Sequence, residues 1–146
     1  MEIKALDAAA FAPYGTVLEI AEPNPARAAE GRNEFKVVDE SDNADGWRLA
    51  VQIVRGRELS QVGHHPHSKE TFEPVSGVAV ICVAPNDAPD DLAAFVLDRP
   101  VVVNAGVWHG LIALSREAIV KIAENRVMTG ENRPLARPLR VGLLPG

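Results

Sequence analysis

The chain has 146 residues, 47% of them hydrophobic, enough to bury one core and too few to leave much room for a second domain. Fifteen Lys and Arg against twenty Asp and Glu leave a net charge of −5 with no basic cluster, which argues against nucleic acid or an anionic membrane as the main partner. A lone cysteine, Cys82, excludes an intramolecular disulfide and a thiolate metal cluster. With no signal-peptide pattern at Met1–Ala10 and no apolar run of about 18 residues, the chain reads as a soluble, cytoplasmic protein.

In chain order, Asp7 is a plausible N-cap for a helical turn over Ala8–Phe11, which Pro13 and Gly15 stop. Tyr14 is expected to pack against that turn, and Gly15–Ile20 to begin a strand. Ala21–Gly31, polar and alanine-rich with two prolines, reads as a loop. Phe35–Val38 is a short strand candidate. Trp47–Val54 alternates Trp47, Leu49, Val51 and Ile53 against Arg48, Ala50, Gln52 and Val54, the pattern of a half-buried strand. Glu58–Gly63 and His65–Pro74 follow as strands, with a turn at Val75-Ser76-Gly77. Val78–Ala84 is a continuous apolar strand in which Cys82 reads as a buried, inert thiol. Leu92–Leu97, Val101–Val103, Leu111–Leu114 and Ala118–Ala123 complete the set, and the last dozen residues form a Pro/Arg-containing extension. Eleven glycines and eleven prolines between so many short strands indicate an all-β sandwich or barrel.

The chemistry concentrates at Gly63-His64-His65-Pro66-His67-Ser68-Lys69-Glu70, which holds three of the four histidines and a carboxylate. On an extended strand His65 and His67 point to one face and His64 to the other. Two imidazoles and a carboxylate facing a barrel interior would suit a divalent metal, and a mixed nitrogen and oxygen set fits Zn, Mn, Fe or Ni. Glu70 has the wrong parity for a continuous strand and joins the histidines only if the chain turns between them. The fourth histidine, His109, follows a glycine turn and Trp108, which could present its ring to a pocket. The competing reading is an exposed His-x-His strand that binds nothing.

His65-Pro-His67, Glu70 and Gly77 approximate the first cupin motif, and Asn104-Ala-Gly106-Val-Trp-His109 approximates the second. A longer pattern covers about residues 11 to 126. Phe11-Ala-Pro-Tyr14-Gly15-Thr-Val-Leu-Glu19, His65-Pro66 with Phe72 and Pro74, Pro89-Asp90 with Ala94-Phe95, and Val107-Trp108-His109 with Leu114 occur in the order found in the ureidoglycolate lyase family, which this chain resembles. The resemblance implies one cupin-type jelly-roll domain over residues 1–146 with a short N-terminal helical turn, a homodimer, and release of urea and glyoxylate from ureidoglycolate in allantoin degradation. Such a carbon–nitrogen lyase needs a base for the substrate hydroxyl, an acid for the departing urea, and a cation for the carboxylate.

On this reading His109, His65 and Glu70 are the candidate catalytic groups. The candidate metal ligands are His65, His67, Glu70 and His109. Arg55, similar to an arginine of the family, could hold the substrate carboxylate or be a surface arginine at a glycine turn. Trp108 is a pocket wall or a core aromatic, and Lys121 is a candidate substrate anchor that would need a partner if it pointed inward. The chain departs from the family at Gly63-His64, where Glu-Arg is usual, and at Glu70, where the family has glutamine. Three readings follow: a divergent lyase with rearranged acid–base groups, a metal-dependent cupin enzyme acting on another small polar acid, and a non-catalytic cupin that binds a small molecule.

Overall fold

The computed structural model describes residues 6–140. It holds two short helices, α1 (Ala8–Phe11) and α2 (Pro25–Ala29), and ten strands: β1 (Glu34–Glu40), β2 (Trp47–Val54), β3 (Glu58–His64), β4 (Glu70–Ser76), β5 (Ala79–Ala84), β6 (Ala93–Leu97), β7 (Val101–Val103), β8 (Trp108–Ala113), β9 (Ala118–Asn125) and β10 (Glu131–Arg140). The strands form two antiparallel five-stranded sheets, ordered β1-β2-β9-β4-β7 and β10-β3-β8-β5-β6. None of the helices is long and apolar enough to cross a membrane.

The two-residue side-chain period divides each strand between two apolar layers. Ala50, Val54, Phe72, Ile81, Leu111, Val120 and Ile122 meet between the sheets. The opposite face of the β3-β8-β5 sheet buries Val62, Val80, Cys82, Trp108 and Ile112, covered in part by Leu135 and Leu139. Val51 and Ile53 pack outside the other sheet, under Ile20. Cys82 is fully buried, and that burial pushes its thiol up to about 11, as an inert side chain requires.

Four local expectations change. Gly15–Ile20 is irregular rather than a strand, although Ile20 is buried. The strand expected over His65–Pro74 begins only at Glu70, after a turn at Pro66–His67, and runs on to Ser76. Tyr14 meets α1 as expected, its ring 6.0 Å from that of Phe11, although it is 82% exposed. The Ala21–Gly31 loop contains α2, because Pro25 occupies its first turn and the Asn24 carboxamide accepts from the Ala26 and Arg27 amides. The Pro/Arg extension is an edge strand up to Arg140. Its register against β3 shifts between Pro134 and Leu139, and an edge is where a strand tolerates prolines. Its last six residues lie outside the described range. Elsewhere the expected strands lie within three residues of the observed ends, and the α1 cap is as expected, with Asp7 accepting from the Ala10 amide at 2.8 Å.

Candidate functional site

The same period that builds the inner core aims polar side chains into it at the ends of the strands. Glu70 shares the inward face of β4 with Phe72, and His109 that of β8 with Leu111. Arg48 and Glu124 continue the inward rows of β2 and β9. Arg48 pairs directly with Glu124, and the β4–β9 register Thr71↔Ala123 sets Glu70 opposite Glu124 when extended by one residue. A polar row, Arg48–Glu124–Glu70, therefore crosses three strands of one sheet, and His109 meets it from the other.

His65 joins them because β3 ends at His64. The chain turns at Pro66–His67, passes from one sheet to the other, and re-enters as β4 at Glu70. That turn cancels the parity problem of Glu70. His109 Nε2 lies 2.8 Å from Glu70 Oε2, and His65 Nε2 lies 3.5 Å from the same oxygen. The other ring nitrogens are tied back to the main chain. Nδ1 of His109 donates to the Val107 carbonyl at 3.0 Å, and Nδ1 of His65 to the Thr129 carbonyl at 3.1 Å. Each ring thus turns a defined Nε2 toward the carboxylate.

The backbone around His65 depends on one glycine. A Cβ at Gly130 would stand 2.5 Å from His65 Nδ1 and 2.6 Å from its Cε1, so only glycine lets this segment close over the ring. Gly130→Ala should displace His65 and loosen its bond to Thr129. The imidazole resonances of His65 are expected to shift in the NMR spectrum while those of His67, on the far side of the turn, stay in place.

Proton positions follow from the packing. Burial pushes the Glu70 carboxyl up, but hydrogen bonds from His109 and Glu124 and the charges of His109 and His65 outweigh it and hold it below the ordinary carboxylate range. Burial pushes His109 down, yet the hydrogen bond and charge of Glu70 overcome this and raise it. Glu124 is raised to about 7, first by burial and then by its hydrogen bond to Glu70, with Arg48 opposing from 2.6 Å. These directions favour the ionised form of Glu70 and the protonated forms of His109 and Glu124 relative to the free side chains.

A cavity of about 350 Å³ opens onto this group between the sheets, with Gln52, Gln61, Gly63, Phe72 and Asn132 among its walls. One atom each from His65, Glu70 and His109 lies within 4.8 Å of the others, a set able to hold a metal ion. Two imidazole Nε2 atoms with Nδ1 anchored on carbonyls, plus one carboxylate, match the donor chemistry of a divalent transition metal.

The structure brings together His65, Glu70 and His109 and leaves the other four candidate residues outside. His67 is exposed in the turn, because the extended strand that would have aligned it with His65 is broken there. Trp108 faces away, in the outer core, stacked on His64 at 4.4 Å and donating from Nε1 to the Asn86 carbonyl. Lys121 points out of the sandwich beside Ile119 and pairs with Glu73 at 2.9 Å. Arg55 is buried, but its guanidinium is taken by Glu117 at 3.2 Å, Glu34 at 3.4 Å and the Arg32 carbonyl at 3.0 Å, so it ties loops together. Glu124 and Arg48 escape the sequence reading, although each continues an alternating inward row that is otherwise apolar or neutral.

Two antiparallel sheets packed as a jelly roll, with two histidines and a glutamate converging at one end of the interior, define a cupin-type protein. A solved structure of protein SO0799 from Shewanella oneidensis shares this fold, with a TM-score of 0.56 and 14% identity over 70% of this chain and 74% of that one. The family model for ureidoglycolate lyase matches residues 1–134, and the chain belongs to that family. A Rhizobium etli protein named ureidoglycolate lyase is 28% identical over 123 residues, 75% of this chain and 74% of its own. A putative ureidoglycolate lyase of Agrobacterium fabrum is 33% identical over 122 residues, 71% and 68% of the two chains.

Proposed function

We propose that this chain is a carbon–nitrogen lyase that splits ureidoglycolate into glyoxylate and urea. Family membership supports the substrate, and the 2.8 Å His109–Glu70 pair at the head of a polar cavity carries the chemistry. The Glu70 carboxylate takes the hydroxyl proton of the substrate carbon. The oxygen forms a carbonyl, the carbon–nitrogen bond breaks, and its electron pair leaves on the ureido nitrogen, which receives a proton from the His109 imidazolium. Glu70 then carries one proton too many and His109 one too few, and the hydrogen bond between them returns it. His65 is left to face the substrate carboxylate.

The same three donors support a second, metal-dependent reading. His65, Glu70 and His109 would hold a divalent Zn, Mn, Fe or Ni ion, which would supply a Lewis-acidic centre for the oxygens of a small polar acid. Nε2 of His109 cannot both coordinate an ion and donate a proton, so the readings exclude one another. Glyoxylate release from ureidoglycolate, measured before and after chelation, separates them. Turnover that survives chelation supports the acid–base pair, and turnover lost and restored by one ion supports the metal. No turnover under either condition leaves another small acid or a non-catalytic binding role. We further propose a cytoplasmic homodimer. The exposed Phe95, Val96 and Val102 on edge strands β6 and β7 offer apolar surface for it, and sedimentation velocity reads the mass directly.

A further inference from the structure

No lysine or arginine of the described residues lines the cavity, and the nearby Arg48 is committed to Glu124. The N–H donors left for a substrate carboxylate at one end of the cavity are the Nε2 atoms of His65 and His109, whose Nδ1 atoms are held by carbonyls. The opposite end is carboxamide in character. Asn132 of β10 is the cross-strand partner of Gly63 in β3, and Gly63 is in turn the partner of His109 in β8. Neighbouring strands lie about 4.8 Å apart, so His109 and Asn132 stand roughly 10 Å from one another across a residue with no side chain.

The glycine faces the cavity, because its neighbour His64 lies on the outer face, stacked on Trp108. A Cβ placed there would meet nothing nearer than the Asn132 Oδ1 at 3.6 Å and the His109 carbonyl at 3.9 Å. The floor between the two side chains is thus open by composition and not because neighbouring atoms forbid a side chain. Asn33 also lines the cavity, but its Oδ1 already accepts from the Arg55 and Gly56 amides. Asn132 offers both a carbonyl acceptor and N–H donors, which complement the N–H and carbonyl of a ureido group and are a poor match for a second carboxylate.

We infer that Gly63 is the floor of a substrate slot between His109 and Asn132, that the substrate carboxylate lies at the histidine end, and that Asn132 is the residue that selects an amide or ureido end. The slot rests on the lyase reading for its substrate but not for its geometry. It is tested by calorimetry on the full chain with two unreactive probes. N-carbamoylglycine carries a carboxylate and a ureido group without the hydroxyl, and glycolate carries a carboxylate and a hydroxyl without the ureido group. Asn132→Leu should weaken N-carbamoylglycine about tenfold and leave glycolate within twofold. Gly63→Ala, which adds one methyl to an edge-proximal strand and should fold normally by circular dichroism, should weaken both probes about fivefold. Equal loss of both probes in Asn132→Leu, unchanged N-carbamoylglycine in that variant, or unchanged binding in Gly63→Ala overturns the slot. So does a wild-type protein that binds neither probe at millimolar concentration. A wild-type protein that binds both as described but does not cleave ureidoglycolate removes the lyase reading and leaves the slot standing.

Discussion

Glu70→Gln is expected to lower the rate of urea release from ureidoglycolate by about 10²- to 10⁴-fold, the usual contribution of a positioned acid or base. Glutamine keeps the shape of the side chain and can still lie beside His109, but it cannot accept the hydroxyl proton or balance an imidazolium. Burial deepens the effect. With Glu70 and His109 both buried, water cannot readily replace the lost carboxylate. Steady-state kinetics check this, with circular dichroism confirming the fold. A variant that keeps more than a tenth of the wild-type rate would show that Glu70 serves the structure and not the reaction.

Glu124→Gln is expected to stabilise the metal-free protein at pH 8 and to have little effect at pH 5. The ordinary carboxyl value is 4.5, and burial with the neighbouring Glu70 raises Glu124 to about 7. The folded chain therefore binds this proton more tightly than the unfolded one. Its contribution to stability is complete below about 4.5 and is lost as the pH rises through about 7. Above that range the wild-type protein holds two ionised carboxylates side by side, whereas glutamine never ionises. The expected gain at pH 8 is on the order of 2 kcal/mol, several degrees in unfolding temperature, and thermal scans at the two pH values measure it. Lower stability of the variant at pH 8 would mean that the 2.6 Å Arg48–Glu124 pair outweighs the burial of the charge.

Much of the framework is legible in the residues themselves. Trp47–Val54, Val78–Ala84 and Ala118–Ala123 announce strands through alternation or a continuous apolar run, and the structure has strands there. Less legible are elements whose support comes from elsewhere in the chain. Glu131–Arg140 carries two prolines and little alternation, and it is a strand because β3 offers it an edge. Gly15–Ile20 has the composition of a strand but finds no partner.

At the site, the sequence offers His65, Glu70 and His109, and beside them His67, Arg55, Trp108 and Lys121 as further candidates. Strand periodicity says which residues share a face. It does not say which face turns inward, where a strand breaks, or which charge far along the chain will claim a side chain. The break at Pro66–His67 separates His65 from His67 and restores Glu70. Arg55 is claimed by Glu34 and Glu117, and Lys121 by Glu73, each ion pair costing less than leaving a charge unmatched.

The opening composition and strand pattern, acidic, turn-rich and sized for one core, already point to an all-β protein built from short strands, with its histidines and Glu70 as candidates for its chemistry. What only the tertiary structure decided is how the −5 charge is arranged around the candidate site. Three carboxylates, Glu58, Glu70 and Glu124, stand on or behind the cavity wall, and no lysine or arginine of the described residues lines it. A substrate carboxylate in this cavity would therefore meet histidine nitrogens, or an ion they hold, and no lysine or arginine of the described residues. The reason is geometric, since ion pairs and sheet register join residues dozens of positions apart, and composition counts charges without saying which of them meet.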